Sequence, residues 1–88
     1  MAWTLRISET ARRQFKKLDR STAQTLLRYL NRLLLEAENP RQRGKGLTAN
    51  RTGLWRYRVG DYRVICDIQD DELLVLVLQV AHRRDVYR

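Results

Sequence analysis

The stretch from Leu54 to Ile68 leaves this chain little freedom in its local structure. Leu54-Trp55-Arg56-Tyr57-Arg58-Val59 and Tyr62-Arg63-Val64-Ile65-Cys66-Asp67-Ile68 read as two strands, and Gly60-Asp61 between them suits a two-residue turn. Side chains alternate across a strand. One parity of the hairpin collects Trp55, Tyr57 and Val59 with Val64, Cys66 and Ile68, an apolar set for a core. The other collects Leu54, Arg56 and Arg58, and the turn puts Arg63 directly across from Arg58. Like charges in that position destabilise a sheet. Three guanidinium groups on one face therefore call for an anion, and phosphate matches the planar fork of arginine bidentately. The arginine face is expected to cost stability, so removing Arg63 should leave the fold intact or slightly more stable, by roughly 0.2–1 kcal/mol.

The rest of the chain supplies two helices to cover the apolar parity. Trp3 to Ile7 alternates as a short strand. Ser8 can cap a helix with Ala11, Phe15 and Leu18 on its buried stripe. Asp19-Arg20 interrupts, and Ser21-x-x-Gln24 has the capping-box spacing for a second helix. Its stripe is Ala23, Leu26, Leu27, Leu30, Leu33, Leu34 and Ala37, and Asn39-Pro40 stops it. Arg41 to Gly53, with three glycines and four bases, reads as a mobile basic loop. A third strand of the meander is predicted over 73–81. A three-residue Asp70-Asp71-Glu72 loop would put Leu74, Leu76, Leu78 and Val80 on the core side and leave Gln79 and Ala81 on the arginine face. A two-residue loop would flip that assignment. The expected fold is a single α+β domain over 1–88: strand, helix, helix, then a three-stranded antiparallel meander in two layers, closed by a short tail or helical turn.

Charge narrows the partners. The 88 residues carry 18 Lys+Arg against 10 Asp+Glu, a net charge of +8, which suits nucleic acid, an anionic membrane or an acidic protein. Between Arg41 and Arg63 stand Arg41, Arg43, Lys45, Arg51, Arg56, Arg58 and Arg63, with Asp61 the single acid. No stretch approaches the ~20 apolar residues of a membrane span, and the first residues lack the apolar run of a signal peptide. The expectation is a cytoplasmic protein with no membrane partner. Cys66, alone and on the apolar parity, is expected to be a buried structural thiol.

The residue inventory also limits the chemistry. One histidine and one cysteine do not make an ordinary zinc site, and the scattered acids give no two-metal constellation. There is no phosphate-binding glycine loop or dinucleotide fingerprint. No metal or cofactor is expected. A phosphodiester cleaved without metal is most readily RNA, whose own 2′-OH can attack the adjacent phosphate once it is aligned and its charge neutralised. Guanidinium supplies the charge stabilisation but is a poor general base. In the tail, Arg83 and Tyr87 are four apart and one helical turn would put them on a common face. Arg83 could stabilise a leaving oxygen and Tyr87 could stack on a base; equally, the tyrosine could pack back on the sheet. Little backbone pairing is expected to depend on this tail. His82 reads as a surface histidine at a strand end.

Arg56-x-Arg58, Gly60-Asp61-Tyr62-Arg63-Val64, the apolar 73–80 strand and the closing His82-Arg83-Arg84-x-Val86-Tyr87 resemble the RelE branch of the RelE/ParE toxin superfamily, over nearly the whole chain. The resemblance implies a toxin of a type II toxin–antitoxin module that cleaves mRNA in the ribosomal A site, leaving a 2′,3′-cyclic phosphate and a 5′-hydroxyl. It implies inhibition by a RelB-like or other small acidic antitoxin. Carried over by position, Arg58, Arg63, Arg83 and Tyr87 are the expected catalytic set, with Arg56 beside them on the RNA; Arg51, Lys45 and Arg43 of the basic loop are expected to hold the RNA backbone. Where the family often has lysine, this chain has Arg56 and Arg58. The base would then come from the ribosome or the RNA, or cleavage would be slower, or it would rest on alignment and electrostatics alone. A ParE-like gyrase inhibitor shares the fold, though Arg83 and Tyr87 count against it. A noncatalytic nucleic-acid-binding module is the reading from a different class.

Overall fold

The computed structural model describes residues 3–47 and 53–86. The expected α+β architecture is present. Strand β1 (Thr4–Ile7) leads into helices α1 (Glu9–Lys16) and α2 (Arg20–Glu36). A short strand β2 (Lys45–Gly46), then β3 (Leu54–Val59), β4 (Tyr62–Gln69) and β5 (Leu74–His82) follow, and the helical turn α3 (Arg83–Val86) closes the chain. The strands form one sheet in the order β1-β5-β4-β3-β2. β1 runs parallel to β5, and the remaining pairs are antiparallel.

Both main helices start on side-chain caps. Ser8 Oγ accepts the Ala11 N–H at 3.1 Å, as the sequence predicts. The second cap differs from expectation. Asp19, rather than Ser21, takes the Thr22 N–H at 3.2 Å, so the helix begins at Arg20. A carboxylate at that position satisfies an orphan amide and meets the positive end of the helix dipole. The Thr22 hydroxyl and amide in turn hold the Asp19 carboxyl below its usual pKa. After α2, Asn39 Oδ1 accepts the Arg41 N–H at 2.9 Å and Pro40 opens a 3-10 turn.

The helices bury Ala11, Leu26, Leu30, Leu33 and Leu34 against Tyr57, Val64, Cys66, Ile68, Val75, Val77 and Val80 of the sheet. Burial of this set raises the Cys66 thiol to about 12, in keeping with a structural role. Tyr57 is fully buried, and its hydroxyl donates to the Pro40 carbonyl at 2.6 Å. That bond ties β3 to the turn after α2. The predicted mobile loop is thus partly ordered: Trp55 Nε1 donates to the Arg43 carbonyl at 2.6 Å, and β2 pairs with Trp55 and Arg56. Gly44 allows this approach. It has φ +81°, and a Cβ there would collide with the Arg56 carbonyl oxygen. Arg41 anchors the same segment through Asp70 Oδ1 at 2.8 Å and the Ile68 carbonyl at 3.4 Å.

The last strand corrects the expected facing of the leucines. β4 and β5 are joined by four residues, with Leu73 at φ 51°. This even-numbered loop pairs Gln69 with Leu74, Asp67 with Leu76 and Cys66 with Val77. Val75 and Val77 are therefore the core residues, while Leu74 and Leu76 lie on the arginine side. A bulge opposite Ile65 and Cys66 takes in Leu78 and restores the other parity. Beyond it Val80 faces the core, with Gln79 and Ala81 on the arginine face as predicted. Side chains from the start of the chain satisfy the polar backbone here. Ser8 Oγ donates to the Leu78 carbonyl at 3.1 Å, and Gln14 Oε1 accepts the Val80 N–H at 2.6 Å.

Candidate nucleic-acid interface

The helices cover one face of the sheet, and the pairing register lays out the other in rows. Nearest the hairpin turn, Arg58 is directly opposite Arg63, and Arg63 is opposite Ala81. The next row runs Lys45, Arg56, Ile65 and Gln79 across four strands. Then come Leu54, Asp67, Leu76 and Arg6. Lys45, Arg56, Arg58 and Arg63 thus gather toward one end of the uncovered face, and the row beyond them holds the acid Asp67 together with Arg6. Lys45 reaches this surface only because β2 joins the sheet. Arg6 was not singled out among the sequence candidates. Its alternation in β1 was the available signal, but parallel pairing with β5 is what brings it to this face.

The turn is the one the sequence implies. Gly60 has φ +59°, while Asp61 stays at negative φ, which is the II′ pattern. The two arginines beside it differ sharply in environment. Arg58 is exposed, whereas Arg63 is only 7% exposed. The expectation that removing Arg63 leaves the fold intact or slightly more stable does not take in this burial. Its aliphatic stem is part of the packed sheet, and its head lies in surroundings where a guanidinium must be compensated.

The tail is tied to the same end of the sheet, more firmly than the sequence suggests. The Arg83 N–H donates to the Asp61 carbonyl at 2.7 Å, and Arg83 Nη1 lies 3.9 Å from Asp61 Oδ1. One helical turn follows over 83–86, and Tyr87, the other half of the predicted pair, lies outside the described residues. His82 is directed elsewhere. It pairs with Tyr62 on the helix-covered parity, and the two rings meet edge to face at 5.1 Å. Its Nδ1 accepts the Arg84 N–H at 3.1 Å, a capping role that requires an unprotonated Nδ1.

Arg58, Arg63, Arg56 and Lys45 therefore share one surface, with Arg83 at its turn end. Arg43 is drawn aside, with Nη2 3.7 Å from Glu36 Oε1 of α2. Arg51 and Tyr87 lie outside the described residues. Among the described residues no three His, Cys, Asp or Glu side chains cluster as metal ligands, and no helix is long and apolar enough to cross a membrane.

Comparisons with known proteins identify the family. A family model for the ParE toxin of the type II toxin–antitoxin system parDE matches residues 5–87. Toxin RelG of Mycobacterium tuberculosis is 33% identical over 88 residues, covering 100% of this chain and 99% of the relative. Toxin RelE of the same organism is 34% identical over 82 residues, covering 93% and 82%. This chain belongs to the RelE branch of the RelE/ParE toxin superfamily. It is a type II toxin–antitoxin toxin of the RelE family. The RelE-branch fold extends to solved structures. The RelBE2 toxin–antitoxin complex of Mycobacterium tuberculosis contains a chain that superposes with a TM-score of 0.81 at 30% identity, with 92% of this chain and 91% of that one covered. The isolated E. coli RelE toxin matches with a TM-score of 0.72 at 19% identity, covering 92% and 84%, a likeness of fold.

Proposed function

We propose that this RelE-branch toxin is a ribosome-dependent endoribonuclease that arrests translation by cutting mRNA without a metal ion. The observation that carries the reading is the direct opposition of Arg58 and Arg63 on the uncovered face, with Lys45 and Arg56 in the next row. A sheet surface that sets cations in adjacent rows suits a polyanion laid across it. In the proposed reaction the 2′-oxygen of the RNA attacks the neighbouring phosphorus and the P–O5′ bond breaks. A 2′,3′-cyclic phosphate forms, the 2′-hydroxyl proton passes to surrounding water, and the departing 5′-oxygen takes up a proton. Arg58 and Arg63 stabilise charge on the phosphoryl oxygens, Arg83 stabilises the leaving oxygen, and Tyr87 stacks on the nucleotide being cut. Arg56, Lys45, Arg43 and Arg51 hold the strand. Since guanidinium does not act as a base at neutral pH, alignment and electrostatics carry the protein's share.

The proposed partner in the resting state is a cognate antitoxin, as in the RelBE2 complex, whose toxin chain this one resembles at 30% identity. A net charge of +8 favours an acidic, partly apolar segment that folds as it binds. Its binding should weaken as salt rises; equal affinity at low and high salt would refute the electrostatic part of this account.

Induction of the toxin without antitoxin, followed by mapping of mRNA 5′ ends, tests the activity. Cuts phased to codons within translated frames, with translation stopping in minutes, are expected. Intact mRNA with damaged DNA would support a ParE-like gyrase inhibitor instead. Neither effect would point to binding alone.

A further inference from the structure

We infer that Asp61 is a positioning residue for Arg83, holding that guanidinium at the arginine end of the uncovered face. The inference rests on the assignment of Arg83 to the cleavage site. Asp61 engages the same partner at two points. Its main-chain carbonyl accepts the Arg83 N–H at 2.7 Å, and its carboxylate lies 3.9 Å from Arg83 Nη1. The first contact fixes where α3 starts, and the second restricts where the side chain can go. Both come from the hairpin turn that also aligns Arg58 with Arg63. A single tight turn thereby links three arginines that lie up to 25 residues apart in sequence.

Stability does not account for the side-chain contact. Both partners are mostly exposed, at 62% and 65%, and exposed ion pairs add little to folding. A long arginine at the start of a terminal helical turn otherwise explores many rotamers, and ordering it during catalysis would cost conformational entropy. One carboxylate engaging one end of the guanidinium leaves donors on the other end for a phosphate oxygen. Asp61 itself touches neither RNA nor the reacting atoms in this scheme.

Asp61→Asn tests the idea, because asparagine also suits a turn and leaves the carbonyl bond in place. Its thermal melt should match wild type. Its single-turnover cleavage on programmed ribosomes should fall about threefold to fivefold, the most that an exposed ion pair can shift the population of a held rotamer, with unchanged affinity for the ribosome. Asp61→Glu, which keeps the charge, should restore most of the rate. In an Arg83→Ala background the same change should have no further effect, since Asp61 acts through Arg83. Additive losses, or a fully active Asp61→Asn, would overturn the inference while leaving the endoribonuclease reading intact. Side-chain NMR relaxation supplies a readout independent of cleavage. The Arg83 Nε–H should be more ordered than that of Arg84 in wild type and equally mobile in Asp61→Asn. Equal mobility already in wild type would overturn the inference. If the ordering is present but the wild-type toxin cuts no mRNA, the endoribonuclease reading fails and the structural coupling stands.

Discussion

Tyr57 and Arg58 are neighbours in β3, yet they answer to different physics. Tyr57 is fully buried beneath the helices, with its hydroxyl bonded to the Pro40 carbonyl and burial raising its pKa. Arg58 is exposed on the other face, opposite a second arginine. The covered face follows the rules of a core: apolar contact, and a hydrogen bond for each buried polar group. The uncovered face gathers like charges in adjacent rows, a layout that suits an anionic ligand. Arg63 lies between these regimes, pointing to the arginine side while only 7% exposed. Stability and function should therefore separate by face, with Arg63 as the position where they mix.

The largest expected effect breaks the covered face. Leu30 is fully buried, so Leu30→Ala should cost about 2–5 kcal/mol in urea unfolding. Arg58→Ala should leave the same transition within roughly 0.5 kcal/mol. If the two variants unfold alike, the two faces are not energetically distinct.

Activity should show the reverse order. Arg58→Ala removes one preorganised charge-stabilising donor and should lower cleavage on programmed ribosomes by about 10²–10³-fold. Tyr87→Ala should be similarly impaired under the proposed function, with its melt retained. Undiminished cleavage by both variants would remove the uncovered face and the tail from the mechanism.

Arg63→Ala sharpens the comparison at its boundary. Relief of repulsion alone would stabilise the fold slightly, but loss of the buried stem should dominate, giving a net cost of about 1 kcal/mol together with lost cleavage. A more stable Arg63→Ala would show that repulsion outweighs packing at this site. Tyr57→Phe should cost a similar amount, about 1–3 kcal/mol, by leaving the Pro40 carbonyl without its buried donor. Its cleavage by folded protein should be unchanged.

The smallest effect is absent at neutral pH. The unfolded Cys66 thiol ionises near 9.0 and the folded one at about 12. Above pH 9 the unfolded state loses protons that the folded state keeps, so alkali favours unfolding. The stability linked to Cys66 is complete below that pH and is lost as pH rises toward about 12. A Cys66→Ala variant should show less of this alkaline decline. In the native wild type at pH 8, a thiol reagent should label Cys66 only as fast as the protein opens; rapid labelling would place the thiol at the surface.

Sequence alone determined whatever depends on neighbours along the chain. The Gly60-Asp61 turn fixes register over a few residues, so the facing of Arg58 and Arg63 is legible in the residues themselves. The leucine stripe of α2 is legible because it repeats at the helical period over several turns. Tertiary structure decided whatever depends on contacts between distant segments. β2 has two residues, too few for a period, and joins the sheet because Gly44 lets the chain lie against β3. The facing of Leu74 and Leu76 depends on whether the preceding loop holds an odd or even number of residues. The bulge that then restores Val80 to the core is satisfied by Ser8 and Gln14 from the other end of the chain. Arg63 and Arg58 look equivalent in sequence, because burial is set by everything packed around a residue. The anchoring of Arg83 on Asp61 is hidden for the same reason: a hydrogen bond spanning 22 residues leaves no mark in local spacing.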